Sequence, residues 1–407
     1  MRVLILTQHF TPEITAARSR LHPIAQLLAE GGNDVEVLTA VPNHPEGVIQ
    51  QEFRGSLIAR RELDGFRVKH VWVKASPHKT TRNRLMLYGS YATMATLAGI
   101  ASPRPDVILA SSPPLPVAAA ARLVALRHRV PWVMDVRDLW PEVAVVLGEL
   151  SNKAMIRAAE RLERSLYASA TAIVTVTEAF RRDIAAKLRD DSKISLVRNG
   201  TTAQWLETGA FEVDRESLGL PTDRFVWTYC GNVGIAQGLE AAVDAAAQLD
   251  DGFQLLVIGS GPMLDRVKKR AGELPPGRVV FHGLVPPAGA ARYLRASDAT
   301  LVPLAALPEM KKFVPSKLFD CCAVGRPVIL AAGGEARELG VGADAVYPVP
   351  PGDSAALAAA VRALRDDPGL RARLSTGGRA FAAEHLRERQ MEGLEKVLRD
   401  AAKSRRS

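Results

Sequence analysis

Cysteine is scarce in this chain of 407 residues: only Cys230, Cys321 and Cys322 occur. They have no metal-ligand spacing, and an adjacent pair on one helix does not readily close a disulfide, so small buried core residues are the expectation. Long apolar runs are also missing. No stretch of about 18 apolar residues is free of a charge or a breaker, which removes a membrane-spanning helix from the expectations. The opening "MRVLILTQHF" reads as a strand rather than a signal peptide, so the expected location is cytoplasmic. Aromatic residues make up only 5%, with no aromatic-basic platform on which bases would stack. Nucleic acid is therefore not an expected partner, despite a net charge of +9.

That charge is unevenly placed. Residues 1–200 carry 27 Lys/Arg against 19 Asp/Glu, whereas the rest is nearly balanced at 26 against 25. Between Gly65 and Pro105 stand Arg67, Lys69, Lys74, Lys79, Arg82, Arg84 and Arg104, with no acid at all. Such a segment suits an anionic surface. It runs into "NRLMLYGSYATMATLAGI", an apolar helical stretch that either rests on an anionic membrane or forms an ordinary core helix with a solvated basic start.

Short β-rich runs alternate with helical patterns throughout, which argues for α/β architecture with parallel sheets. The expected strands are 2–6, 35–39, 67–73, 107–111, 132–136 and 172–177, then 225–230, 254–259, 279–283, 299–304, 327–331 and 345–349. The polar, turn-rich stretch 199–224 reads as a linker. Two domains follow, 1–204 and 205–380, and a C-terminal helix, about 381–407, is a candidate to pack back on the first. No period of 20 to 50 residues repeats, and the final "KSRRS" reads as a solvated tail.

The stretch "FVPSKLFDCCAVGRPVIL" opens a short helix with Pro315 at its first position, followed by Ser316 and Lys317. Free backbone N–H groups, the helix dipole and the lysine charge make such a turn an anion site. Asp320 lies three residues on, sharing a face with Lys317. A lysine for phosphate beside a carboxylate for sugar hydroxyls suits a nucleotide; a core helix with an i,i+3 ion pair is the other possibility. Two further strand ends carry glycine turns. "GNVGIAQG" supplies Gly231, Gly234 and Gly238, with Asn232 and Gln237 able to bond phosphate oxygens, and "GSGPM" supplies Gly259 and Gly261 around Ser260. Three such loops leaving one sheet point to a nucleotide crevice.

In the first half, Asp135, Arg137 and Asp138 close the strand 132–136. Alternation puts Asp135 and Arg137 on one face, and a turn near Arg137 frees Asp138; an internal Asp–Arg salt bridge is the competing reading. His9 after the first strand and His44 after the second point toward the same strand ends. The paired aspartates 190–191, 250–251 and 366–367 read as solvated turns, so no metal is expected.

The set "GNVGIAQGLE", "VIGSGP", "FHGLV", "SDATLVPL", "VPSKLFDCCAVGRPVI" and "GGEARELG" resembles the donor domain of family 4 retaining glycosyltransferases, which have the GT-B fold. "DVRDLWPE" and "FTPEITAARSRLHPIAQLLAEGGNDVEVLT" resemble a branch that builds cell-envelope polysaccharides, including fucosamine and N-acetylhexosamine transferases. The resemblance implies two Rossmann-like domains facing across a cleft. It puts the donor diphosphate on the loop Gly231 to Gly238 and on Lys317, and the ribose on Asp320, where the family usually has glutamate. It also places Glu335 on the donor and His9, His44, Asp135 and Arg137 on the acceptor side. Another family glutamate is replaced by Lys312; Glu309 lies three residues upstream.

The expected activity is retaining, metal-independent transfer from a nucleotide sugar, a UDP-N-acetylhexosamine or relative, to a lipid-linked or glycan acceptor, with no cofactor. Lys317 stabilises the leaving diphosphate and Asp138 assists the acceptor. An anionic surface at the inner face of the cell membrane is a candidate further partner. The alternatives are a nucleotide-sugar 2-epimerase on the same fold and a non-enzymatic basic binding protein.

Overall fold

The computed structural model describes residues 1–13, 15–78 and 80–404. Lys79 of the basic segment and the last three residues of the tail lie outside them. The chain divides into two compact units, Met1–Arg198 with the chain from Gln390 onward, and Asn199–Arg389. The sequence reading put these divisions at 204/205 and about 380.

The first unit holds an eight-stranded sheet: β1 Arg2–Leu6, β2 Asp34–Ala40, β3 Ile58–Leu63, β4 Phe66–Val71, β5 Val107–Ser112, β6 Trp132–Val136, β7 Ala172–Thr175 and β8 Ile194–Leu196. Their order is β3-β4-β2-β1-β5-β6-β7-β8. The central strands are continuous Val/Ile/Leu runs because helices cover both faces. One pairing departs from the all-parallel expectation: β3 runs antiparallel to β4. Asp64 and Gly65, both at positive φ, form the two-residue turn between them, and an Asp-Gly dipeptide is the strongest local hairpin signal. The polar "IARREL" masked β3, since as an edge strand it carries charges rather than core residues.

The final helix, Arg387–Lys403, buries Leu394 and Leu398 with Val3, Leu28 and Val35 in the first unit's core.

The second unit holds β9 Phe225–Cys230, β10 Phe253–Ile258, β11 Val279–Gly283, β12 Ala299–Pro303, β13 Val328–Ala331 and β14 Val346–Val349, ordered β11-β10-β9-β12-β13-β14, all parallel. Trp227, Tyr229, Leu255, Leu301 and Ile329 fill its core. The stretch read as a linker carries a helix of its own, Ala203–Thr208.

Each sheet has one place where successive crossovers depart in opposite directions, between β1 and β5 and between β9 and β12. Loops leaving the carboxyl ends of strands at such a point form the usual ligand crevice of open α/β sheets.

Candidate functional site

In the second unit the loops after β9 and β10 interlock. Gly231 N–H bonds Ile258 O at 2.9 Å, and Val233 N–H bonds Ser260 O at 2.9 Å. Gly231 and Gly259 have φ of 140° and 133°, a region that excludes ordinary side chains. A β-carbon on Gly259 would overlap the Gly231 carbonyl, and one on Gly261 would overlap that of Val233.

Lys317 reaches this turn from the helix Lys317–Ala323. Its Nζ donates to Tyr229 Oη at 2.7 Å and sits 4.0 Å from the centre of that ring. The tyrosine hydroxyl in turn donates to Asn232 O. A β-carbon at Gly231 would lie 2.7 Å from the ammonium, so the glycine is what lets the charge reach the loop. Burial pushes Lys317 down to about 8.

The other expected donor residues separate from one another. Asp320 makes no ion pair with Lys317; its carboxylate accepts the Thr201 hydroxyl at 2.8 Å. Burial raises its pKa against the opposing pull of Arg387 and that hydrogen bond. The shared-face expectation fails because the half-buried Lys317 meets the ring and hydroxyl of Tyr229, while the aspartate meets the strand-like segment at Thr201, which pairs with Leu386. Gln237 does not extend a free carbonyl toward a ligand: its Oε1 accepts Gly234 N–H at 3.1 Å and closes the loop. Asn232 and Ser316 are exposed. The regular helix begins at Lys317, with Ser316 already in helical conformation before it and Pro315 just outside.

Glu335, 7% exposed, stands in the first turn of the helix Gly334–Gly342 after β13. Glu309 and Lys312 share the short turn Pro308–Lys312. A cavity of about 230 Å³ lies among Leu304, Ala305, Pro308, Lys311 and Gly333 at these strand ends; Ala305 N–H ties it to the first glycine loop through Ala236 O at 2.8 Å. A larger one, about 470 Å³, lies among Leu220, Arg224, Gln254, His282 and Tyr293 and touches none of the glycine-loop residues.

In the first unit Asp135 is a correction to its expected acceptor-side place. It is 0% exposed and bonded twice to Arg20, Nη2 to Oδ1 at 2.8 Å and Nε to Oδ2 at 3.2 Å. The salt bridge weighed from sequence is real, but its partner is Arg20 rather than Arg137. A buried aspartate needs a cation, and Arg20 supplies it from 115 residues away. Arg137 instead braces the loop after β5, donating to Ser111 Oγ at 2.8 Å and Pro113 O at 3.1 Å. Asp138 is half-buried, and burial pushes it up to about 6 while Arg137 pulls the other way.

His9 and His44 do meet, ring centres 5.2 Å apart. Sequence reasoning missed the residue joining their loops, Glu13, which bonds His9 Nδ1 at 2.7 Å and the backbone N–H of Asn43 and His44 at 2.7 and 2.8 Å. The i,i+4 spacing of His9 and Glu13 was the only available signal. Gln8, 2% exposed, has neither amide atom hydrogen-bonded among the described residues.

The basic segment is not acid-free in space. Arg67 pairs with Asp34, Lys69 with Glu36 and Arg84 with Glu149. Leu85, Met86 and Leu97 of the helix Thr81–Ile100 remain exposed, whereas Tyr91 on its other face is buried. Among the described residues, no helix is long and apolar enough to cross a membrane, and no three His, Cys, Asp or Glu cluster as metal ligands. Each paired aspartate meets the chain itself, Asp191 with Arg181, Asp251 with Arg278 and Asp367 capping the helix Pro368–Glu384. Cys230, Cys321 and Cys322 are free, and burial pushes Cys230 up to about 11.

Residues 15–200 match the family described as "Glycosyl transferase 4-like domain", and residues 210–381 match "Glycosyl transferases group 1". The chain is 25% identical over 342 residues to a protein named for colanic acid biosynthesis, the glycosyl transferase WcaI of Escherichia coli K12, covering 82% of this chain and 83% of that one. Two solved structures share the fold. Sucrose-phosphate synthase from Thermosynechococcus elongatus superposes with a TM-score of 0.77 at 18% identity, over 98% of each chain. Anabaena HepE, determined with UDP and glucose, gives 0.71 at 16% identity, over 100% of this chain and 99% of that one.

Proposed function

Because the chain belongs to the group 1 glycosyltransferases with a 4-like N-terminal domain and the GT-B fold, we propose that it moves a sugar from a UDP-linked donor, an N-acetylhexosamine or a relative, to a lipid-linked or glycan acceptor of a cell-envelope polysaccharide. Lys317 carries this reading. Its ammonium sits at the glycine turn after β9, held there by Tyr229 and admitted by the missing side chain of Gly231.

The chemistry follows from that placement. As the bond between the anomeric carbon and the diphosphate lengthens, negative charge grows on the phosphate oxygens. A fixed ammonium stabilises it without reorganising, the largest kind of catalytic contribution. The carbon gains oxocarbenium character, and the acceptor oxygen attacks with retention while the departing phosphate takes its proton. Asp138 assists from the first unit as an ionised carboxylate above pH of about 6. No metal is needed for these steps, and the proposal includes none. Support for UDP comes from HepE, solved with UDP and glucose, and for the pathway from the name of the colanic acid relative.

The protein would work in the cytoplasm, and exposed Leu85 and Met86 next to Arg82 favour contact with an anionic inner membrane face. Sedimentation with phosphatidylglycerol vesicles, lost on Arg82→Glu with Leu85→Glu, tests that part.

The central test is a melting-temperature screen against UDP, GDP, ADP and their sugars. A ligand at 100 times its Kd stabilises by about 2.7 kcal/mol. UDP raises the melting temperature and Lys317→Met abolishes the shift; a chain indifferent to all nucleotides overturns the reading.

A further inference from the structure

The loop after β1 is tied to the loop after β2 through one side chain, Glu13. Glu13 is 5% exposed, and each of its two carboxylate oxygens has a distinct task. Oε1 accepts the backbone N–H groups of Asn43 and His44, from the loop after β2, at 2.7 and 2.8 Å. Oε2 meets His9 Nδ1 at 2.7 Å. Backbone amides only donate, so Oε1 must accept. Although burial opposes ionisation, His9 and the two amides hold the carboxyl below its ordinary range. An ionised carboxylate has no proton to give, so the hydrogen in the third bond belongs to Nδ1. In the neutral ring the lone pair then lies on Nε2.

The surroundings keep the ring in place. Thr7 Oγ1 donates to His9 O at 3.1 Å, Glu13 N–H closes a turn on Phe10 O at 3.0 Å, and Tyr91 Oη bonds Thr7 O at 2.8 Å. The His44 ring stands edge-on, tilted by 62°. The His9 side chain is 26% exposed, and its Nε2 makes no hydrogen bond among the described residues. It leaves the sheet between β1 and β5, where the crossovers diverge.

We infer that Glu13 is a positioning residue: it clamps the loops after β1 and β2 together and fixes the His9 tautomer so that Nε2 accepts a hydrogen bond from an acceptor-sugar hydroxyl adjacent to the one about to be glycosylated, whose own proton goes to the departing phosphate. This rests on the reading of the protein as a sugar transferase with its acceptor on the first unit. It adds a means of selecting a hydroxyl, a donor group, at that position.

Glu13→Gln separates the two tasks. The amide oxygen stays on Asn43 and His44, preserving the clamp, while the NH2 group faces Nδ1 and requires it to accept, moving the ring proton to Nε2. Full-length protein labelled with ¹⁵N at histidine, with His9→Asn assigning the resonances, shows the Nδ1–H tautomer in the wild type and Nε2–H in Glu13→Gln. An Nε2–H wild type, or a variant with unchanged tautomer, overturns the inference. Failure of the transferase reading looks different: UDP no longer raises the melting temperature of the wild type, whatever the tautomer.

Discussion

Lys317 Nζ lies 2.7 Å from Tyr229 Oη and 4.0 Å from the centre of the same ring, so one tyrosine both solvates and orients the ammonium. The arrangement holds a charge at the Gly231 turn without an acidic partner that would cancel it. Removing that charge with Lys317→Met should cost about 10²–10³ in kcat, as loss of a transition-state donor does. Tyr229→Phe, which keeps the ring but not the hydroxyl, should cost less. Steady-state UDP release measures both.

The charge on Lys317 also predicts a pH dependence. Its pKa is lowered to about 8 by burial, so the cationic form dominates below that pH and is lost above it. Affinity for UDP, followed by titration calorimetry, should fall as pH rises through about 8. In Lys317→Met the dependence should flatten.

Asp138 titrates on the other side of neutrality. Burial raises it to about 6 from 3.8, so the folded state binds this proton more tightly than the unfolded chain. Stability attributable to this group is greatest below the unfolded value and declines as pH rises toward 6. Asp138→Asn should therefore raise the melting temperature at pH 7.5, with the gain shrinking by pH 4. Its kcat/KM should lose the rise through about pH 6 that the wild type shows.

Arg20 and Asp135 form a buried pair, and removing one partner leaves the other charged and unsolvated. Arg20→Ala should destabilise the first unit by about 3–5 kcal/mol in urea unfolding. UDP should still produce its thermal shift in the folded fraction, because the donor residues belong to the second unit.

At Gly259 a methyl group would meet the Gly231 carbonyl as well as an unfavourable φ. Gly283 also has a positive φ, 77°, but open space around it. Gly283→Ala should cost about 1–2 kcal/mol of backbone strain; Gly259→Ala should cost more and weaken UDP binding at least tenfold. Thermal unfolding with and without UDP distinguishes them.

Much of the architecture could be read along the chain because its signals are local. Parallel strands buried on both faces need unbroken apolar runs, and the close approach of two loops needs glycine at Gly231 and Gly259. These constraints act within a few residues, so the strand list and the donor loops were legible. The edge strand β3 escaped because its solvent-facing charges obey no burial pattern, although Asp64-Gly65 marked its turn.

Partnerships between distant side chains were another matter. Nothing local tells Asp135 that Arg20 will neutralise it, steers Asp320 to Thr201 rather than Lys317, or sets Glu13 between two loops. Nor does sequence spacing reveal that the acid-free basic segment meets Asp34, Glu36 and Glu149 in the fold. Which residues bend, pack and carry charge is written along the chain, since those properties belong to single residues and their neighbours. Which charges are cancelled and which are left for chemistry emerges only on folding, because a buried ion takes its partner from whatever the topology brings within about 3 Å.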